Sequence, residues 1–312
     1  MKQKMTSSKF GTLPQEELEL LCNAIKDTPW RQVIENMDLP VLRQKRDWFT
    51  NVRKAYPYRI LPLVEKGKVL DIGAGSGVIS ETIAKDFSSV IAFDYSPELI
   101  EFMRKRFFQD GLVNIKIVRA DAVKLPFRED CFDLVIVNGV LEWIPDFTPQ
   151  TNPYRAQMDF LKNVHFILKK RGMVGLAIEN RFYLRHFQGA SPHGEGAFVA
   201  ILPRFMATLI TRLKEKKQYR NYIYSYWGYK RLLRKAGFRK INIYVAVPSY
   251  YDPHAIISTQ KESSRVFFNE YFKEHFLNNP KIGITKKTVY YLLNYMNLFR
   301  YLEHSFFITG EK

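Results

Sequence analysis

Val69-Leu-Asp71-Ile-Gly73-Ala-Gly75-Ser-Gly77 is the stretch on which the fold turns. A short apolar run ends in three alternating glycines, and helical spacing resumes from Val78 to Phe87. A glycine turn between a strand and a helix brings backbone N–H groups close to a ligand. Outward from it, Ser89 to Phe93 is a second apolar run that ends at Asp94. Ser96-Pro97 opens a helix with an N-cap and a proline at its first position, and Gly111 stops it. Ile115 to Val118, Phe132 to Val137 and Met173 to Ile178 are further strand-like runs. Between the last two, Arg155 to Leu168 is helical, with Lys169-Lys-Arg-Gly172 expected as its basic end and C′ glycine. Near-continuous apolar strands alternating with helices predict a parallel sheet covered on both faces. Residues 61–180 therefore read as a doubly wound α/β unit.

The flanks are different in texture. Residues 14–56 read as helical, punctuated by Pro14, Pro29 and Pro40. Asn180 to Gly196 reads as a loop, and 198–236 as irregular helix. Ile241 to Val247 reads as a sixth strand, 263–277 and 285–300 as helices, and His304 to Thr309 as a closing strand.

Composition narrows the class. The chain has 312 residues, with 46% hydrophobic and 25% charged, which is globular and excludes general disorder. Its two cysteines, Cys22 and Cys131, exclude a disulfide scaffold and fit reduced thiols in a cytoplasmic protein. No signal peptide is expected, and the apolar stretch at Phe198–Ile210 is too short to span a bilayer. The 48 basic and 31 acidic residues give a net charge of +17, which favours anionic partners.

The glycine pattern does not fit a dinucleotide site. That fingerprint, G-x-G-x-x-G, would need glycine where Val78 stands. The pattern D-x-G-x-G-x-G instead resembles motif I of the class I S-adenosylmethionine-dependent methyltransferases, of the type 11/12-like group. Asp94, 23 residues beyond Asp71, stands where that family places an acid on the ribose hydroxyls. Asp121 in Val118-Arg-Ala-Asp-Ala122 corresponds to the residue that meets the adenine amine, with the Ala122 N–H reaching the ring. The resemblance implies S-adenosylmethionine as cofactor, held by Asp71, Gly73, Ala74, Gly75, Gly77, Asp94, Tyr95, Asp121, Ala122 and Asn138. It also implies a seven-stranded Rossmann-like sheet, with Glu303–Lys312 supplying the strand antiparallel to the fifth. Asn138-Gly-Val-Leu-Glu-Trp143, Ala177-Ile-Glu-Asn-Arg-Phe182 and Tyr224–Phe238 look like uncharacterised bacterial members linked to surface-polysaccharide or secondary-metabolite pathways. In that group the loop after the fifth strand commonly reads Asp-His-Thr-Gly; here it is Ser191-Pro-His193-Gly, so the His is present and the Asp is not.

Methyl transfer to a hydroxyl is helped by a general base. Glu142, after the fourth strand, and His193, in a glycine-flanked loop, are the catalytic candidates, with Glu195 beside them. Glu179 and Arg181 either line the acceptor side or pair with each other. The Asn/Asp-Pro-Pro-Tyr/Phe motif of base-amino methylation is absent, and no His/Cys metal cluster is expected.

Arg204 to Lys240 holds twelve basic residues, one acid and six aromatics from Tyr219 to Tyr229. Such a segment suits single-stranded nucleic acid, a phosphorylated or acidic acceptor, or an anionic lipid surface, or it is a solvated cap over the site. The division expected is 1–60 helical extension, 61–180 cofactor-binding core, 181–238 inserted basic and aromatic cap, and 239–312 completion of the sheet with a helical insertion. The expected activity is O-methylation of a small-molecule or glycan-type acceptor, anionic or lipid-linked, in the cytoplasm or peripherally at the membrane. An RNA methyltransferase and a non-catalytic S-adenosylmethionine-binding module are the alternatives.

Overall fold

The structure is a computed structural model that describes residues 13–59, 61–63, 66–191, 196–216, 218–278 and 283–312. Its frame is one eight-stranded sheet in the order β3-β2-β1-β4-β5-β8-β6-β7. Strands β1 (Lys68–Ile72), β2 (Ser89–Asp94), β3 (Ile115–Arg119), β4 (Phe132–Asn138) and β5 (Leu168–Glu179) run parallel. β1 and β4 lie at the centre of this parallel part, and almost every residue in them is buried. This is why their sequences are continuous apolar runs. β8 (Ser305–Glu311) enters antiparallel between β5 and β6 (Arg239–Ser249), as the resemblance implied.

The strand count corrects the expectation of seven. β7 (Asp252–Ser258) is an eighth strand, hydrogen-bonded antiparallel to the outside of β6. Its sequence, Asp-Pro-His-Ala-Ile-Ile-Ser, carries a proline and no alternation, so it does not read as a strand. Proline is tolerated there because β7 is the sheet edge. Ser249 pairs with Asp252, which makes Tyr250-Tyr251 a two-residue hairpin turn.

A second correction concerns Gly172. It does not cap the preceding helix, because β5 already begins at Leu168. A Cβ at Gly172 would stand 2.9 Å from the carbonyl oxygens of Lys169 and Phe132, so close backbone approach is what requires glycine. The left-handed residue is Arg171, at φ 65°.

Helices α1 (Gln15–Ala24), α2 (Trp30–Asn36), α3 (Pro40–Thr50) and the short α4 (Tyr56–Arg59) precede the sheet. Leu18, Leu21, Trp30, Ile34, Leu42 and Phe49 bury themselves against Leu99 and Phe102 of α6 (Pro97–Gln109). Arg106 of α6 is buried beneath them. It donates to Glu81 of α5 (Val78–Ile83) at 2.7 Å and to the carbonyls of Phe49 at 2.8 Å and Ser76 at 3.1 Å. A charge buried this deeply persists only where it is paired and its donors are satisfied. One side chain thus ties the N-terminal helices to the glycine loop.

On the other face, α7 (Pro153–Ile167) and α9 (Tyr226–Ala236) share the largest core cluster through Phe160, Leu161, Val164, Tyr229, Leu232 and Leu233. So α9, within the stretch read as cap, is in fact a layer of the sandwich. α8 (Arg204–Glu215) lies between β5 and β6 in sequence, α10 (Lys261–Phe272), α11 (Ile284–Tyr295) and α12 (Phe299–Leu302) between β7 and β8. No helix among the described residues is long and apolar enough to cross a membrane.

Candidate functional site

The carboxyl ends of β1, β2, β4 and β5 open on one edge of the parallel sheet, the usual place for a ligand in this architecture. At β1, Gly73 and Gly75 take positive φ, 70° and 59°. A Cβ at Gly73 would stand 2.5 Å from Val140, and one at Gly75 would stand 2.7 Å from the Trp48 ring. Both positions need glycine for conformation and for space. Asp71 is buried and accepts a 2.7 Å hydrogen bond from the Ser80 hydroxyl, which locks the strand end to α5. Burial raises its pKa to about 7. Asp71 therefore helps to shape the loop.

Asp94, at the end of β2, accepts from the Gly75 N–H at 2.9 Å and the Ser96 N–H at 3.0 Å, one on each oxygen. Burial raises its pKa, and these backbone bonds oppose the rise. A carboxylate has about four acceptor sites, and with the Tyr95 N–H also directed at it, room remains for a further donor. Asp121 accepts from the Val123 N–H at 2.9 Å, closing an Asx turn next to Ala122. Tyr95 is half exposed, and its ring meets Phe147 edge-on at 5.5 Å. Asn138, at the end of β4, accepts from the buried Tyr58 hydroxyl at 2.8 Å.

The second half of the site lies past β4 and β5. Glu142 is buried, and its carboxyl group faces the Glu179 carboxyl group and its own backbone N–H. Burial first, and then the neighbouring Glu179 carboxylate, push its pKa well above the usual range. Glu179 is also buried, at the end of β5. Its Oε1 accepts from Tyr251 at 2.9 Å and Tyr250 at 3.2 Å, the two residues of the β6–β7 turn. The Tyr229 hydroxyl donates to the Glu179 carbonyl at 2.9 Å. Two carboxylates side by side out of water do not both ionise at neutral pH, so the pair binds a proton jointly.

Neighbours hold this pair in place. Gln157 of α7 donates to the carbonyls of Leu141 at 2.9 Å and Tyr222 at 2.8 Å, which fixes the chain beside Glu142. Asp252 accepts from Asn51 and from Arg53, each at 2.6 Å, and so anchors the tyrosine turn to the N-terminal segment. The Arg53 guanidinium is the main reason that Asp252 stays well below the usual carboxylate range.

The structure separates Glu179 from Arg181. Arg181 turns away and donates to the carbonyls of Ala200 at 2.9 Å and Leu202 at 2.8 Å. His193 and Glu195 lie outside the described residues. Tyr250, Tyr251, Tyr58, Trp48 and Gln157 complete the site without any sequence signal, because each reaches it from a distant part of the chain.

The aromatics of the basic segment are largely turned inward, while most of its described basic residues are exposed. Arg204 lies 4.2 Å from the centre of the Tyr222 ring, and Arg220 donates to the carbonyls of Pro145, Thr148 and Thr151. Tyr219 and Tyr229 are buried, and of the six aromatics from Tyr219 to Tyr229 only Trp227 is exposed.

Residues 70–176 match the family model described as a methyltransferase domain. An uncharacterised protein of Mycobacterium tuberculosis is 42% identical over 79 residues, 25% of this chain and 28% of that protein. A probable ribosomal RNA small subunit methyltransferase A of Methanosarcina barkeri is 39% identical over 90 residues, 28% of this chain and 30% of that protein. The matched stretch thus spans under a third of the length of these relatives. Among solved structures, phosphoethanolamine N-methyltransferase 2 of Haemonchus contortus, crystallised with S-adenosylmethionine, is similar in fold. Its TM-score is 0.50 at 14% identity, covering 92% of this chain and 60% of that one.

Proposed function

We propose that this chain, which carries a methyltransferase domain of the class I S-adenosylmethionine-dependent family, methylates a hydroxyl of a small-molecule or glycan-type acceptor. The cofactor of that family is S-adenosylmethionine. The residues at β1 to β3 fit it. Glycines at 73 and 75 leave no room for a side chain, and Asp94 keeps acceptor capacity for a ribose hydroxyl. Asp121, Ala122 and Tyr95 would border the adenine end, and Gly73, Ala74 and Asn138 the methionine end. Bound there, the cofactor supplies a methyl group on a sulfonium, so that transfer needs an acceptor oxygen and a place for its proton.

The observation that carries the reading is the buried carboxyl pair of Glu142 and Glu179, held by the two tyrosines of the β6–β7 turn. The acceptor hydroxyl gives its proton to Glu142 while the proton already shared by the pair settles on Glu179. Tyr250 and Tyr251 stabilise the charge of Glu179 before the transfer. A base with a raised pKa is better matched to a hydroxyl than an ordinary carboxylate is. The half-exposed Tyr251 ring walls the solvent side of the pair. An RNA acceptor is less well supported, because most aromatics of the basic segment pack inward instead of forming a stacking platform.

The test uses cofactor with a labelled methyl group and cell extract separated into small-molecule, glycan, lipid and RNA fractions. Label is expected in the small-molecule or glycan fraction with the wild-type chain and is lost with Glu142→Gln. Label that RNase releases, or equal labelling by the variant, would overturn the proposal. Cofactor binding without transfer to any fraction would point to a binding module.

A further inference from the structure

Helix α8 is packed with its small side chains inward and its large ones outward. Ala207 and Thr211 are 0% and 3% exposed, and Ala207 joins a small cluster with Val199 and Tyr219. Phe205, Leu209 and Leu213, four residues apart, are 74%, 57% and 75% exposed and form one stripe along the opposite side. A helix that faces only water turns its apolar stripe toward the core. Here the stripe is left outside, and Arg212, Lys214 and Lys216 stand exposed at its C-terminal end. The chain as a whole carries +17.

We propose that this face of α8 docks on an anionic phospholipid bilayer. Phe205, Leu209 and Leu213 enter the boundary between headgroups and acyl chains, and Arg212, Lys214 and Lys216 meet the headgroup phosphates. Charge and shape both favour a bilayer over a protein. A specific protein interface needs about 800 Å² on each partner with matched contours, whereas a convex stripe on a twelve-residue helix suits a fluid surface. A cluster of cations beside apolar side chains is complementary to acidic lipid and not to a second copy of a basic chain. Docking there does not depend on the assignment of the base or the acceptor.

Co-sedimentation of the full chain with vesicles tests it, using phosphatidylcholine alone and phosphatidylcholine mixed with phosphatidylglycerol. Binding to the mixed vesicles is expected to be at least about tenfold stronger and to weaken with added salt. The double variant F205S/L209S and the double variant R212E/K214E should each lose about tenfold or more. Both should keep their thermal unfolding temperature and their affinity for S-adenosylhomocysteine, since none of these residues belongs to the cofactor site. Equal binding to the two vesicle types, absence of binding by the folded wild type, or unaltered binding by F205S/L209S would overturn the proposal. Displacement from the vesicles by inorganic phosphate at matched ionic strength would also overturn it, by revealing a simple anion site. So would a dimer that F205S/L209S converts to monomer, which would mean that a second copy covers the stripe.

Discussion

The two halves of the site are assembled in opposite ways. At the cofactor end, contacts run between near neighbours: Ser80 and Asp71 are nine residues apart, and Gly75 and Asp94 are nineteen. At the proposed acceptor end, Tyr251 reaches Glu179 across 72 residues and Tyr250 across 71. The first half has its polar groups satisfied by backbone N–H donors. The second buries two carboxyl groups against each other. A group held at such cost, where the fold could have placed an apolar residue, points to chemistry rather than stability.

Glu142→Gln should break the comparison most sharply. Turnover should fall by about 10²–10⁴-fold, the range for loss of a general base, with little change in affinity for the cofactor. A turnover within a few-fold of wild type would remove Glu142 from the mechanism.

Asp94→Ala should act at the other end. It removes an acceptor of hydrogen bonds to a charged group, each worth about 1.5–3 kcal/mol, so cofactor affinity should fall by roughly 10–100-fold or more. Calorimetric titration with S-adenosylhomocysteine reads this directly.

Tyr251→Phe should have a smaller and more specific effect. Tyr251 donates to Glu179, and a hydrogen bond to the charged form lowers the pKa. Its loss should move the acidic limb of the rate profile upward by about one pH unit. The rate at high pH should be nearly unchanged. An unmoved limb would separate the tyrosine turn from the titrating pair.

The smallest effect is on stability. Glu142 binds its proton more tightly folded than unfolded, so the folded chain holds more protons as pH rises above about 4.5, the ordinary value. Wild-type stability should therefore decline as pH rises from there through the raised folded value. Glu142→Gln should show a weaker decline and a melting temperature higher by about 2–4 °C at neutral pH. A steeper decline in the variant would contradict the buried pair.

The same contrast explains what was legible in the sequence. The parallel sheet and the glycine loop are readable because a buried strand is a continuous apolar run and a tight strand-to-helix turn at positive φ needs glycine. Asp94 stands out because it ends such a run, Asp71 because it is an acid inside one, and Asp121 because it follows one closely. β7 is hidden because an edge strand needs neither alternation nor freedom from proline, and Asp252-Pro-His-Ala offers neither signal. With it the Tyr250-Tyr251 turn is hidden, although that turn completes the acceptor end. Glu142 is visible as a candidate by its place after β4, but its partner emerges only when β5 is paired beside β4. Trp48 and Arg106 bind the N-terminal helices to the loop through packing that no local pattern encodes.

The most direct test is calorimetric titration of S-adenosylhomocysteine into the wild type, Asp94→Ala and Glu142→Gln, with endogenous ligand removed. The account predicts binding by the wild type, strong weakening in Asp94→Ala and near-wild-type affinity in Glu142→Gln. Wild-type affinity in Asp94→Ala, or loss of binding in a folded Glu142→Gln chain, would contradict the division of the site into a cofactor end and an acceptor end.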